Sequence, residues 1–167
     1  SSDLETHSLR GPAVQVERRR SREHPDSVGR HDGERTDDSM KGPLVSCVTV
    51  TYGPTASLRP MLESLERTTR YGEVEVFVVT QPDSTGCSER GIGSSHPRIT
   101  EVDLADNIGF GPANNLAVAR TRAPLIALLN PDLVLTEHWL EPLVAALGDQ
   151  SVTIVSPPLL TPMGELD

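Results

Sequence analysis

Asp132 stands just past an apolar run, Leu125 to Leu129, behind Asn130 and Pro131. A carboxylate at the end of a buried strand is a costly place for a charge unless a metal ion or hydrogen-bond donors meet it. Mg2+ commonly uses one or two protein carboxylates and completes its shell with water and substrate phosphate, which makes Asp132 the best metal-ligand candidate in the chain. Pro131 biases Asn130 toward extended backbone, so this strand end has a defined geometry. As an isolated tripeptide, Asn-Pro-Asp is simply a turn, because all three residues are turn formers.

A second candidate precedes it. Asn107, Gly109 and Gly111 form a Gly-rich loop that feeds a helix carrying Asn114 and Asn115 near its start. Glycines let backbone approach a sugar or phosphate, and the amides can reach a ligand from the first helical turn. A Gly loop that merely starts a helix is the plainer alternative, and a lone Gly-x-Gly does not decide between them. Asn is a poor helix former, so paired amides just inside a helix favour a ligand role.

The elements around these residues alternate between strand and helix. Leu44 to Thr51 is a β-branched apolar run that ends at Tyr52-Gly53-Pro54, and Val74 to Val79 is a second such strand. Between them Ser57 is a reasonable N-cap for a helix whose apolar face is Leu58, Met61, Leu62 and Leu65. Thr80 to Pro97, with three glycines and no helical pattern, reads as a loop, and Ile99 to Leu104 as a third strand. Pro112 suits the first turn of the helix after the Gly loop, and Pro124 separates that helix from the strand Leu125 to Leu129. Thr136 is expected to cap a helix with Trp139, Leu140, Leu143, Val144 and Leu147 on one face, ended by Gly148, and Val152 to Val155 is the last strand.

This order predicts an α/β sandwich with a mainly parallel sheet, whose ligands sit at the carboxyl ends of the strands. Three strand ends then share one edge: Thr51-Tyr52-Gly53, Thr80-Gln81-Pro82-Asp83 and Asn130-Pro131-Asp132. A nucleotide cleft is the economical inference. His96 and His138 have no partners at metal or triad spacing, and Ser46, Ser84 and Ser156 lack a nucleophile-elbow context, so acyl transfer is not supported.

Composition divides the chain. Residues 1–43 hold eight of the 15 Lys and Arg and nine of the 24 Asp and Glu, with almost no large apolar side chains. Such a segment buries too little to offset its ordering entropy and is expected to be a disordered tail, with residues 44–167 as the folded domain. A translation start near Met40, with an upstream extension of no structural role, fits that division. Residues 44–167 carry seven basic and 15 acidic residues, a formal charge of −8. An acidic body argues against nucleic acid as a partner, since phosphate neutralisation by Lys and Arg dominates that affinity. A single small nucleotide stays compatible if a divalent cation and backbone N–H groups neutralise its phosphates. Cys47 and Cys87 form no metal or disulfide pattern and point to a reducing compartment. No signal peptide or spanning run is present in this sequence.

The ordered set of motifs resembles the amino-terminal half of family 2 glycosyltransferases. It consists of VSCVTVTYG, LRPMLESL, VEVFVV, NIGFGPANN, LLNPDLVL, HWLEPLV and VSPPLL with MGELD. The nearest likeness is to a bacterial rhamnosyltransferase-like branch in which Asn-Pro-Asp stands where other members have Asp-x-Asp. The resemblance implies a GT-A type, Rossmann-like α/β/α sandwich, here truncated, that binds a nucleoside-diphosphate sugar with Mg2+ or Mn2+. Asp132 matches the metal-binding aspartate; Thr51 and Tyr52 match the nucleotide-contacting end of the first strand. Asn107, Gly109 and Asn114 match the loop and helix that approach the donor, and Asn130 precedes the metal position.

The family reaction is inverting transfer by direct displacement, in which a carboxylate takes the acceptor hydroxyl's proton. The acceptor is expected to be a saccharide or lipid-linked precursor of cell-surface polysaccharide. The location is expected to be cytoplasmic, with peripheral association at the inner membrane face.

Two departures qualify the match. The family has an Asp-Asn-x-Ser-x-Asp run after the second strand, whose first Asp grips the base; here that position is Thr80, so either Asp83 substitutes from a shifted loop or base recognition is weak. The family's catalytic base lies in the carboxyl half, so the catalytic residue is unassigned and a donor-binding fragment is expected. A non-catalytic nucleotide- or glycan-binding module is the alternative. A dinucleotide binder fares worse, because Tyr-Gly-Pro follows the first strand where that fold needs a GxGxxG turn.

Overall fold

The computed structural model describes residues 14–18, 44–54, 56–69, 74–88, 90–95, 99–161 and 164–165. Its elements are β1 (Val14–Arg18), β2 (Val45–Tyr52), α1 (Leu58–Thr68), β3 (Val74–Gln81), α2 (Ile92–Ser95), β4 (Ile99–Asp103), α3 (Phe110–Val118), β5 (Leu125–Leu129), α4 (Glu141–Ala146) and β6 (Ile154–Val155). One six-stranded sheet runs in the order β4-β3-β2-β5-β1-β6. The pairs β2–β3, β2–β5 and β3–β4 are parallel, whereas β1 is antiparallel to both β5 and β6. The expected mainly parallel α/β sheet is therefore the observed one.

Strand alternation sorts the core onto two faces. On one face Val48, Val50, Phe77, Val79, Val102 and Ile126 pack with Ala113 and Ala117 of α3. On the other, Cys47, Ala127 and Leu129 meet Leu65 of α1 and Leu140, Leu143 and Leu147 around α4, while Val78 meets Met61 and Ile92. Small alanines on α3 let that helix lie close against the sheet. Both faces of the central strand are covered, so β2 is buried along seven of its eight positions, as expected of a parallel strand between helix layers.

Three expectations need correction. Val14–Arg18 lies inside the segment read as a disordered tail, yet it forms β1, with Val14 3% and Val16 0% exposed. The rest of that segment lies outside the described residues. Its alternation of valines with Gln15 and Glu17 gives a strand once β5 and β6 supply ladder partners on both sides. An upstream extension of no structural role is therefore ruled out for these five residues. Within the stretch read as loop, Ile92–Ser95 forms α2, held by burial of Ile92 and by a Gly93 N–H bond to Glu101 Oε2 at 3.0 Å.

The third correction concerns α4, which starts at Glu141 and is not capped by Thr136. Pro142 falls in the first turn, where its missing N–H is harmless; a helix begun near Thr136 would hold it in the interior at a cost of about 3 kcal/mol. The residues before α4 form turns, with His138 at φ 61°.

Candidate functional site

The carboxyl edge of the parallel strands holds a cleft of about 420 Å3 lined by Tyr52, Asp83, Arg90, Asp106 and Asn107 among others. Tyr52 follows seven buried residues of β2 and presents a ring 54% exposed. The chain then turns at Gly53, whose φ of +67° and whose approach to Asp83 leave no room for a side chain: a Cβ there would lie 2.9 Å from Asp83 Cβ. Gly53 N also donates to the Gln81 carbonyl at 2.8 Å, which fastens the ends of β2 and β3 together.

The Asp83 carboxylate is organised by its own loop. Its Oδ1 accepts the Thr85 N–H at 2.9 Å, the Thr85 hydroxyl at 2.6 Å and the Cys87 N–H at 3.0 Å. The Thr85 hydroxyl, then the Thr85 and Cys87 amides, hold its pKa below the ordinary carboxylate range. Asp83 is thus an anion on the wall of the cleft at neutral pH. At the position where the family pattern has an aspartate, Thr80 is fully buried and donates its hydroxyl to Asp103 Oδ1 on β4.

The Gly-rich loop is fixed from both ends. Gln81, 3% exposed, accepts the Ile108 N–H on its Oε1 at 2.9 Å, and Asn107 Oδ1 accepts the Gly109 N–H at 2.9 Å. Gly109 has φ +87°, a conformation that favours glycine, immediately before α3. Asn107 and Tyr52 line the same cleft.

Asn130, Pro131 and Asp132 leave the sheet from β5. The β2–β5 ladder ends at the pair Thr49–Leu129, and Pro131 and Asp132 then form a turn at the carboxyl edge of the sheet. Asp132 is exposed. The chain beyond it is anchored: Leu135 is buried, and its N–H donates at 3.0 Å to Oγ of Ser64, a buried serine of α1 that itself donates to the Met61 carbonyl at 2.7 Å. The aspartate therefore lies on a short segment held by β5 before it and by Leu135 after it. Sequence reasoning missed Gln81, Ser64 and Arg90. Buried polar residues at a strand end and in a helix interior, Gln81 and Ser64 above all, were the available signal.

Of the expected site residues, Tyr52, Asp83 and Asn107 line the cleft, whereas Thr51, Gly109, Asn114, Asn130 and Asp132 are not among its lining residues. Thr51 is fully buried with its hydroxyl directed to the Val79 carbonyl at 3.5 Å, and Asn114 is 5% exposed with its amide donating to the Phe110 carbonyl at 2.9 Å. Both side chains are engaged inside the protein, and neither lines the cleft.

Among the described residues, no group of three or more His, Cys, Asp or Glu side chains converges to hold a metal ion. A single exposed carboxylate at Asp132 fits a hard cation that takes its other ligands from phosphate and water. A second cleft of about 460 Å3 lies at the opposite edge, between the start of β2 and the ends of α1 and α4, lined by Leu44, Arg67, Thr69, His138 and Val144 among others. The carboxyl-edge cleft is the one placed where open parallel sheets hold ligands.

A six-stranded, mostly parallel sheet with a cleft at its carboxyl edge is consistent with a GT-A-like fold. The profile of Glycosyl transferase family 2 matches residues 46–165, and the chain belongs to that family. It is 31% identical over 132 residues to an uncharacterized protein, y4gI, of Sinorhizobium fredii, an alignment covering 76% of this chain and 14% of that protein. It is 24% identical over 130 residues to a Drosophila melanogaster protein provisionally named an inactive polypeptide N-acetylgalactosaminyltransferase 12, covering 72% of this chain and 23% of that one. The chain thus spans less than a quarter of the length of either relative. No helix among the described residues is long and apolar enough to cross a membrane.

Proposed function

We propose that this chain is the donor-binding portion of a family 2 glycosyltransferase that takes a nucleoside-diphosphate sugar with Mg2+ or Mn2+. The observation that carries this reading is the convergence of Tyr52, Asp83 and Asn107 on one cleft, beside the strand end that bears Asp132, in a chain of this family. The exposed Tyr52 ring offers an aromatic face for a base, a contact commonly worth about 1–3 kcal/mol. Asp83 and Asp106 accept hydrogen bonds from base or ribose, and Arg90 supplies the donor group on the same wall.

Asp132, with Asn130 beside it, would hold the cation. When bound, such a cation acts as a Lewis acid that stabilises the departing nucleotide. Loop residues Asn107 and Gly109 bring backbone close to the donor, and the buried Thr51 and Asn114 support that edge from within. In the transfer, the acceptor hydroxyl oxygen bonds to the anomeric carbon with inversion, the bond to the diphosphate breaks, and the hydroxyl proton passes to a carboxylate. That proton acceptor is not assigned to a residue of this chain. The acceptor class we favour is a saccharide or lipid-linked precursor of cell-surface polysaccharide, reached at the cytoplasmic face of the membrane.

A second reading, sugar-nucleotide binding without transfer, is favoured by Thr80 standing at the base-gripping position with its hydroxyl committed to Asp103. Release of nucleoside diphosphate from a panel of sugar nucleotides by this chain combined with a polypeptide that supplies the family's carboxyl half, with and without acceptor saccharides, separates the two. Acceptor-dependent release supports transfer; Mn2+-dependent binding with no release at any acceptor supports the binding module.

A further inference from the structure

The strand beside β5 does not come from the part of the chain that defines the family. The family match covers residues 46–165, whereas β1 is Val14–Arg18. It pairs with the whole of β5, from Arg18 opposite Leu125 to Val14 opposite Leu129. The last rung of that ladder is therefore one residue before Asn130-Pro131-Asp132.

Both ends of β1 are fastened. The Val14 carbonyl accepts the Ser156 hydroxyl at 2.7 Å, and Arg18 N–H donates to the Thr153 carbonyl at 3.4 Å. Val14 and Val16 belong to the same buried cluster as Leu129, Leu135 and Trp139. In the sheet order β6 reaches β5 only through β1. With β1 undocked, β5 becomes an edge strand with an unpaired row of N–H and C=O groups, and β6 loses the one ladder it forms among the described residues.

We propose that β1 is a positioning element of the donor site, holding the end of β5 so that Asp132 meets the cation and diphosphate in one fixed geometry. This inference rests on the donor-site reading given above. Its physical content is a coupling: if docked β1 strengthens binding at Asp132, then ligand at Asp132 must strengthen docking of β1 by the same factor. A strand that served only to cover the core would show no such reciprocity beyond the general stabilisation that any ligand gives.

The test is hydrogen exchange of the full chain with Mn2+ alone and with Mn2+ plus UDP as probe, read on the amides of Gln15–Arg18 and, for reference, on α1. Expected is a slowing in β1 of at least about fivefold beyond that in α1, the lower end of ordinary coupling between sites. Val16→Ala, which loosens docking, should weaken Mn2+–UDP affinity by about fivefold or more, while Val16→Ile restores it. Asp132→Ala should remove the ligand-induced slowing. Binding that depends on Asp132 but leaves β1 exchange equal to that of α1, and is unchanged within about twofold by Val16→Ala, overturns the coupling and leaves the donor site standing. Absence of any Mn2+–UDP binding, with GDP and dTDP equally inert, overturns the donor-site reading and the coupling with it.

Discussion

Gln81 Oε1 accepts the backbone N–H of Ile108 at 2.9 Å, joining the end of β3 to the Gly-rich loop across 27 residues of sequence. Gln81 is 3% exposed and Ile108 42% exposed, so the bond is part-buried, with its acceptor inside the protein and its donor at the surface. The loop that carries Asn107 and Gly109 is therefore held by a side chain distant from it in sequence.

Replacing Gln81 by Ala removes the protein acceptor of the Ile108 amide and is expected to cost about 0.5–1.5 kcal/mol of stability. Gln81→Glu keeps an acceptor oxygen at the same reach and should recover part of the loss. Thermal unfolding of the two variants measures both. Hydrogen exchange at Ile108 should rise in the alanine variant.

The two cysteines should differ sharply in reactivity. Cys47 is 1% exposed, and burial, with the nearby Glu75 charge adding to it, pushes its thiol up to about 12. Cys87 is exposed. Since the thiolate is the reactive species, a disulfide reagent at roughly pH 8 should label one thiol per native chain and both after denaturation. Rapid labelling of both thiols in the native protein would contradict the placement of Cys47.

Asp83 gives the turn after β3 a pH dependence of known sign. Its folded pKa is lowered, chiefly by the Thr85 hydroxyl and then by the Thr85 and Cys87 amides. A depressed folded pKa means that the contribution is complete above the unfolded carboxylate range and is lost as pH falls through the folded value. Exchange protection at Thr85 and Cys87 should therefore hold from about pH 6 to about pH 4 and fall below that, the unfolded Asp value being about 3.9. Asp83→Asn, which keeps the acceptor but cannot ionise, should flatten this dependence.

How much of this was legible in the sequence depends on where each residue finds its partners. The runs that became β2, β3 and β5 were legible because a strand buried on both faces is dominated by apolar and β-branched residues, as Val45–Val50, with only Ser46 and Thr49 polar, and Leu125–Leu129 are. Parallel order put the strand ends bearing Tyr52, Asp83 and Asp132 on one edge, and Tyr52 and Asp83 line the cleft there, whereas Asn107 was read from its Gly-rich loop and motif position. β1 was not legible: Val14 and Val16 stand in a strongly charged stretch, and what buries them is a pairing with β5 over a hundred residues later. Local composition carries no trace of so distant a partner. The roles of Thr51 and Asn114 were read from motif position, whereas strand phase and the i−4 carbonyl decide where their side chains go. The start of α4 was available in Pro142, which fits a first turn and no interior position.

The central claim is that Asp132 holds the cation that binds the donor. Calorimetric titration of the chain with UDP-, GDP- and dTDP-sugars in the presence and absence of Mn2+, repeated for Asp132→Ala, tests it most directly. At least one sugar nucleotide should bind only with Mn2+, and Asp132→Ala should weaken that binding at least about tenfold, or 1.4 kcal/mol. Because Asp132 is exposed, the same variant should unfold within about 0.5 kcal/mol of the parent. Mn2+-dependent binding that survives unchanged in Asp132→Ala would contradict the account.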